Sequence, residues 1–228
     1  SSMTASKVLK LASAAGEDAL RTWNSFFLSR AYPEGTRIGS GNVDPIPLWS
    51  CGVQMVAMNY QTPDEGFLLN EGIFRSYNGG CGYVLKSQEL LGSPVEGCGR
   101  RRGARLRLRI CCGHRLPRPE HSEDFSVVSS PAVVVMLEPG GQVSQTRTVV
   151  QDGYHPVFDH QADFAVPDSP IAVLAFEVLD MPTGLPMARR AVSVDAVREG
   201  FRWLSLWSTS GTTIPHGGLL VRAEFIGV

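Results

Sequence analysis

Arg30 stands in the stretch Leu28-Ser29-Arg30-Ala31-Tyr32-Pro33-Glu34-Gly35, a short apolar start that breaks at Pro-Glu-Gly and runs into a loop rich in Gly and Ser. A guanidinium offers a planar fork of donors that suits a phosphate or carboxylate bidentately. An arginine beside a turn is also what an ordinary solvent-facing surface looks like, so the stretch alone leaves both readings open. Acid-base and metal chemistry have poorer material. The five histidines, His114, His121, His155, His160 and His216, are scattered along the second part of the chain. Cys51, Cys81, Cys98 and the pair Cys111-Cys112 have no C-x-x-C spacing. They read as reduced thiols, used as small buried apolar groups.

The elements that must position Arg30 follow from periodicity. Residues 4–20 carry Val8, Leu11, Ala12 and Ala15 at helical spacing, with Ser2 or Thr4 available to cap the start. Leu28 to Tyr32 is a short strand candidate, and Gly52 to Tyr60 a nearly continuous apolar one, as suits a strand buried on both faces. Helix, strand, loop, strand is the tail of an α/β fold. Two strands and a helix cannot complete a parallel sheet, so earlier strands are expected upstream. The chain begins Ser-Ser-Met-Thr rather than with Met, as a piece of a longer protein would. From residue 105, Arg105, Arg107 and Arg109 alternate with Leu106, Leu108 and Ile110, a period of two. About eight short strands follow with Pro/Gly breaks, the pattern of a β-sandwich. Trp203 and Trp207, four apart, are expected on one face of their strand as core residues. The expected organisation is an α/β part over 1–86, a Gly/Arg/Ser-rich linker over 87–104 and a sandwich over 105–228.

Composition bounds the function classes. The chain has 228 residues, 43% hydrophobic, enough for a sizeable core. A net charge of −1 gives no global attraction to nucleic acid, and none is expected as a partner. There is no run of about eighteen apolar residues of the kind that spans a membrane, and no signal peptide at the start. These features point to a cytoplasmic protein.

Residues 24–64, "NSFFLSRAYPEGTRIGSGNVDPIPLWSCGVQMVAMNYQTPD", and 77–86, "YNGGCGYVLK", resemble the second half of the catalytic barrel of eukaryotic phosphoinositide-specific phospholipase C. "LRLRICCGHRLP" and "QDGYHPVFD" resemble the C2 domain that follows the barrel in that family. The resemblance implies the C-terminal part of a (β/α) TIM-type barrel, carrying its last two strands, then an antiparallel eight-stranded C2-like sandwich. In such barrels phosphate sits at the carboxyl ends of strands. Arg30 matches the family arginine that binds an inositol-ring phosphate, Tyr32 the aromatic residue that packs on the ring, and Ser2 a serine that contacts a ring phosphate. Trp49, Gln54, Asn59 and Gln61 match the same run and are expected to pack and hydrogen-bond within the barrel.

The resemblance also implies what is missing. The family's two acid/base histidines and its catalytic calcium ligands lie in the first half of the barrel, so no catalytic residue is expected here. C2 domains often bind calcium between loops, and calcium takes six to eight oxygens. Where the family has loop carboxylates, this chain has Ser130, Gln151-Asp152-Gly153 and Asp180-Met181-Pro182. Only Asp180 and Asp152 remain as remnants of a calcium site, so no calcium binding by this chain is expected. The implied function is part of an enzyme hydrolysing phosphatidylinositol 4,5-bisphosphate to diacylglycerol and inositol trisphosphate, inactive without the first barrel half. Its implied partners are that missing half, a phosphoinositide head group and an anionic membrane surface approached peripherally. Arg100, Arg101 and Arg102 with Arg105, Arg107 and Arg109 are one candidate contact, against the plainer reading of a solvated linker and an outer strand face. The alternatives are a catalytically inactive phospholipase-C-like scaffold, or a lipid- or protein-binding module.

Overall fold

The computed structural model describes residues 1–35, 39–91, 103–119 and 128–227. The first part is a parallel sheet of order β1-β2-β3, formed by Ser2–Thr4, Arg30–Tyr32 and Met55–Val56. Helices α1 (Ala5–Ala15) and α2 (Glu17–Phe26) lead from β1 to β2, and α3 (Ile46–Ser50) precedes β3. In register, Ser2 lies beside Arg30 and Arg30 beside Met55. Alternation along each strand therefore splits the sheet cleanly. Met3, Ala31 and Val56 join Ala5, Val8, Leu48 and Val53 in a core under the helices. Ser2, Arg30, Tyr32 and Met55 take the opposite face, which no helix among the described residues covers. Parallel sheets are normally covered on both faces, and among the described residues β1 and β3 each lack a second neighbour. Both features are what an incomplete barrel leaves.

Two expectations change and one is narrowed. The sheet has three strands, because Ser2 begins a strand too short to show alternation. The helix cap is Thr4 alone, whose hydroxyl accepts from the Lys7 amide at 3.3 Å. The expected strand over 52–60 shrinks to Met55–Val56. Its ends are drawn into other bonds: Gly52 sits at φ 78°, and the Asn59 amide turns to Asn42 Oδ1 at 2.6 Å. Helix α4 (Glu65–Phe74) occupies a stretch where periodicity suggested nothing, since eight of its ten residues are buried and no amphipathic stripe remains. Asp64 caps it by accepting from the Phe67 amide at 3.1 Å.

The second part is an eight-stranded antiparallel sandwich of order β6-β5-β8-β9-β10-β11-β4-β7. Its strands are β4 Arg105–His114, β5 Pro131–Glu138, β6 Gln142–Gln145, β7 Val157–Ala165, β8 Val173–Asp180, β9 Leu185–Ser193, β10 Gly200–Trp207 and β11 Thr213–Ile226. The two leaves join through a single β9–β10 pairing, Trp207 with Arg189. Leu106, Leu108 and Ile110 point into the core, and the alternating arginines point out. A bulge between Ser205 and Trp207 changes the parity of β10. Trp207 is therefore buried while Trp203 stays about half exposed, against the expectation that both face one way.

The two parts share a core. Ile46, Trp49, Leu68, Leu69 and Ile73 pack on Val173, Ala175, Ala191 and Trp207. Across this contact Arg189 donates to the Pro63 carbonyl at 2.7 Å, and Arg75 to the Gly211 carbonyl at 2.8 Å. Gly72 makes the close approach possible: a Cβ there would stand 2.6 Å from Ala191 Cβ and 3.1 Å from Val173 Cγ1. Gly72→Val is expected to cost about 1–3 kcal/mol by overpacking. A thermal scan should show the midpoint falling by several degrees, and an unchanged midpoint would mean that α4 does not pack there.

Candidate functional site

Ser2, Arg30 and Tyr32 come together on the uncovered face of the parallel sheet. Ser2 and Arg30 are register partners on adjacent strands, and the Arg30 guanidinium carbon lies 6.0 Å from the centroid of the Tyr32 ring. Arg30 is exposed, and no carboxylate among the described residues pairs with it. One detail differs from the sequence reading. Arg30 opens β2 rather than ending it, and Tyr32 is its carboxyl end. The backbone before Arg30 is taken by another partner, because the Ser29 amide donates to Gln54 Oε1 at 2.8 Å.

The surroundings hold this face rigid. Gln54 Nε2 donates to the Asn24 carbonyl at 2.7 Å and the Phe27 carbonyl at 3.1 Å, fixing the end of α2 to β2. After Tyr32 the chain leaves the strand at Pro33, and Glu34 Oε1 accepts from the Ser6 amide at 2.9 Å. That bond places a carboxylate at the N-terminal end of α1, where the helix dipole favours it. Asn42 binds both oxygens of Asp64, at 2.7 and 2.9 Å, tying the loop after β2 to the start of α4. Burial pushes the Asp64 carboxyl up, but the hydrogen bonds from Asn42 and Phe67 outweigh it and hold it below the usual carboxylate range. Trp49 is buried and Asn59 donates to the Ser40 carbonyl, both within the framework.

A cavity of about 820 Å³ lies beside β3 and does not include Ser2, Arg30 or Tyr32. It is walled by Leu28, Met55, Tyr60, Tyr83 and Leu85 together with residues of α4. Its lining is mostly apolar, and the lysine in it, Lys86, already donates to the Asn24 and Gly52 carbonyls at 2.8 and 2.6 Å. The sheet face, with an uncompensated arginine, is the better candidate for an anion.

The loops at one end of the sandwich show a second arrangement. Asp180 is buried, its Oδ1 accepting from the Ser130 amide at 2.7 Å and its Oδ2 from the Thr183 hydroxyl at 2.7 Å. Ser130 Oγ accepts from the Gln151 amide at 3.0 Å. Asp152 Oδ1 accepts from the His155 amide at 3.1 Å. The three loops are thus latched directly by protein hydrogen bonds. Among the described residues no three His, Cys, Asp or Glu side chains gather as a metal site. The donor set does not fit calcium, which needs several carboxylates free to coordinate.

Other sequence candidates separate. Arg107 forks onto Asp163 at 3.0 and 3.1 Å, and Arg109 reaches Asp159 at 2.6 Å, so these arginines are neutralised by β7. Arg100, Arg101, Arg102, Cys98 and His121 lie outside the described residues. Of the cysteines, Cys51 is buried and its thiol is pushed up to about 11 by burial and then by Glu17. Cys81 is exposed and Cys111 and Cys112 are half-buried, so among the described cysteines only Cys51 fills the expected buried role. His114 and His155 meet at 2.9 Å through their Nδ1 atoms, a contact their spacing of 41 residues did not suggest.

Comparison with known proteins decides the family. Residues 1–89 match the family described as phosphatidylinositol-specific phospholipase C, Y domain, and residues 104–187 match the C2 domain. The chain belongs to the phosphoinositide-specific phospholipase C family. Within that family it is 33% identical over 218 residues to "1-phosphatidylinositol 4,5-bisphosphate phosphodiesterase gamma plc-3" of Caenorhabditis elegans, covering 91% of this chain and 16% of that protein. It is 31% identical to the delta-1 phosphodiesterase of Rattus norvegicus, covering 97% of this chain and 30% of that protein. It is also 32% identical to "Inactive phospholipase C-like protein 2" of Homo sapiens, covering 88% and 19%. The crystal structure of L. pealei PLC21 shares the fold, with a TM-score of 0.79 at 23% identity over 99% of this chain and 30% of that one. The chain thus spans under a third of the length of these phospholipase C relatives, which include both named phosphodiesterases and proteins named inactive.

Proposed function

We propose that this chain supplies the substrate-gripping side of a phosphoinositide phospholipase C barrel, together with a sandwich directed at the membrane. The single observation that carries the reading is the sheet face with Ser2, Arg30 and Tyr32 side by side and, among the described residues, no carboxylate paired with Arg30. Arg30 takes a ring phosphate of phosphatidylinositol 4,5-bisphosphate in its fork. The Tyr32 ring lies against the inositol and fixes its orientation, and the Ser2 hydroxyl donates to a second ring oxygen. The parent protein releases diacylglycerol and inositol trisphosphate. Internal attack of a sugar hydroxyl needs an acid, a base and charge stabilisation, and these belong to the first barrel half. Calcium held by that half would supply charge stabilisation and acidify the attacking hydroxyl.

Membrane approach has support at the latched loop end of the sandwich. Val128, Val150, Tyr154 and Met181 are exposed on the three loops that Ser130 and Asp180 draw together. Peripheral association from the cytoplasmic side fits this surface. No helix among the described residues is long and apolar enough to cross a membrane.

The parent protein and the 228-residue chain should be assayed side by side on vesicles containing phosphatidylinositol 4,5-bisphosphate. The parent is expected to release inositol trisphosphate and the chain alone to release none. Turnover by the isolated chain at the parent's rate would sink the division of labour. A second reading, an inactive phospholipase-like scaffold, is favoured by one observation: relatives named inactive match as closely as those named phosphodiesterases. Absence of release by the parent, with vesicle binding intact, would select it.

A further inference from the structure

The sandwich is open where its leaves meet. β9 and β10 pair only at Trp207 and Arg189, and beyond that point they part around a cleft of about 520 Å³. Its floor is apolar and comes from both leaves, with Phe176 and Val192 on one side and Leu108 and Val221 on the other. Its rim is cationic: Arg75, Arg190, Arg198 and Arg202 line it, and among the described residues no aspartate or glutamate does.

Two of these arginines differ in kind. Arg75 is neutralised by Glu71, Nε to Oε2 at 2.5 Å. Arg190 has no carboxylate partner among the described residues. Its guanidinium carbon lies 4.1 Å from the centroid of the Trp207 ring, with that of Arg75 at 4.6 Å. Its Nε is buried and has no hydrogen-bond acceptor. Burial, and then the nearby Arg75 charge, push the Arg190 guanidinium down to about 10. A buried donor on a cation with nothing to receive it is costly to leave unmade. An anion entering the cleft removes that cost.

We propose that this seam binds a phosphate monoester carrying an apolar group, with the phosphate on Arg190 and the apolar group on the floor between the leaves. The fork of Arg190 supplies paired donors to phosphate oxygens. Arg198 and Arg202, both exposed, add charge at the mouth. The site is separate from the sheet face that carries Arg30, and the Arg30 reading can fail without affecting it. A phosphorylated lipid head with part of its tail, or a soluble alkyl phosphate, offers the same chemistry.

The test titrates the full chain, as Arg30→Ala to silence the sheet face, with hexyl phosphate, inorganic phosphate and hexanol by calorimetry. Hexyl phosphate is expected to bind at least tenfold more tightly than inorganic phosphate, and hexanol not to bind. Adding Arg190→Met should weaken hexyl phosphate at least tenfold while leaving the thermal midpoint unchanged or raised, because an uncompensated buried cation has gone. Arg190→Lys keeps the charge without the fork and should fall between. No heat with hexyl phosphate, or equal affinity in Arg190→Met, overturns the proposal. Inorganic phosphate binding as tightly as hexyl phosphate overturns the role of the apolar floor. Vesicles with and without a phosphorylated lipid then separate a membrane source from a soluble one.

Discussion

Replacing Arg30 by alanine in the parent protein should lower kcat/KM on phosphatidylinositol 4,5-bisphosphate by about 10- to 150-fold, the loss expected from about 1.5–3 kcal/mol of charge-assisted hydrogen bonding to a phosphate. The effect should nearly vanish on phosphatidylinositol without ring phosphates, because Arg30 then has no partner to lose. Arg30→Lys should recover part of the rate, since an ammonium keeps the charge but cannot fork. The fold should not notice. The Arg30 side chain is exposed, its guanidinium carbon 6.0 Å from the centroid of the Tyr32 ring, so the thermal midpoint should stay within the small range typical of surface changes. Equal losses on phosphorylated and unphosphorylated substrates would assign Arg30 to the framework. An unchanged rate on the bisphosphate would remove it from the site.

The sandwich was legible in the sequence because its strands alternate. Leu106, Leu108 and Ile110 against Arg105, Arg107 and Arg109 fix a face without further information. The parallel part was legible mainly as a resemblance. Its strands are two or three residues long, and Ser2–Thr4 cannot display a period. Helix α4 was invisible for the opposite reason: it is buried nearly all round, so the polar half of an amphipathic pattern is missing. Its cap was readable, since Asp64 before Glu65 and an apolar run is a start signal. The bulge that separates Trp203 from Trp207 depends on pairing with β11 and has no signature in β10 itself. The seam at Arg190 is harder still. It arises where β9 and β10 fail to pair, and a missing pairing leaves no mark on either strand. Ser2, Arg30 and Tyr32 are grouped in the sequence by resemblance alone, and it is the register of β1 on β2 that sets residues 28 apart side by side.

Asp180→Ala should destabilise the chain by about 1–3 kcal/mol through the Ser130 amide it leaves unsatisfied, a midpoint drop of about 2–4 °C per kcal/mol for a chain of this size. The carboxylate is 4% exposed and holds the Ser130 amide and the Thr183 hydroxyl, each at 2.7 Å. The Ser130 carbonyl accepts from the Met181 amide at 3.0 Å, and its hydroxyl from the Gln151 amide at 3.0 Å, so loosening one bond frees all three loops. Asp180→Asn should cost less. The amide oxygen can still receive Ser130, and the Thr183 hydroxyl can rotate to accept from the amide nitrogen. The discriminating measurement is the same thermal scan with and without millimolar calcium. A structural latch predicts equal drops in both. A calcium ligand predicts that wild type gains stability with calcium and that Asp180→Ala abolishes the gain. Serine and glutamine at the neighbouring loop positions leave calcium too few carboxylates, whereas they suit a latch made of neutral donors and one buried acceptor. Equal drops would also mean that the loops carrying the exposed Val150, Tyr154 and Met181 are ordered by the protein's own bonds, with no ion required.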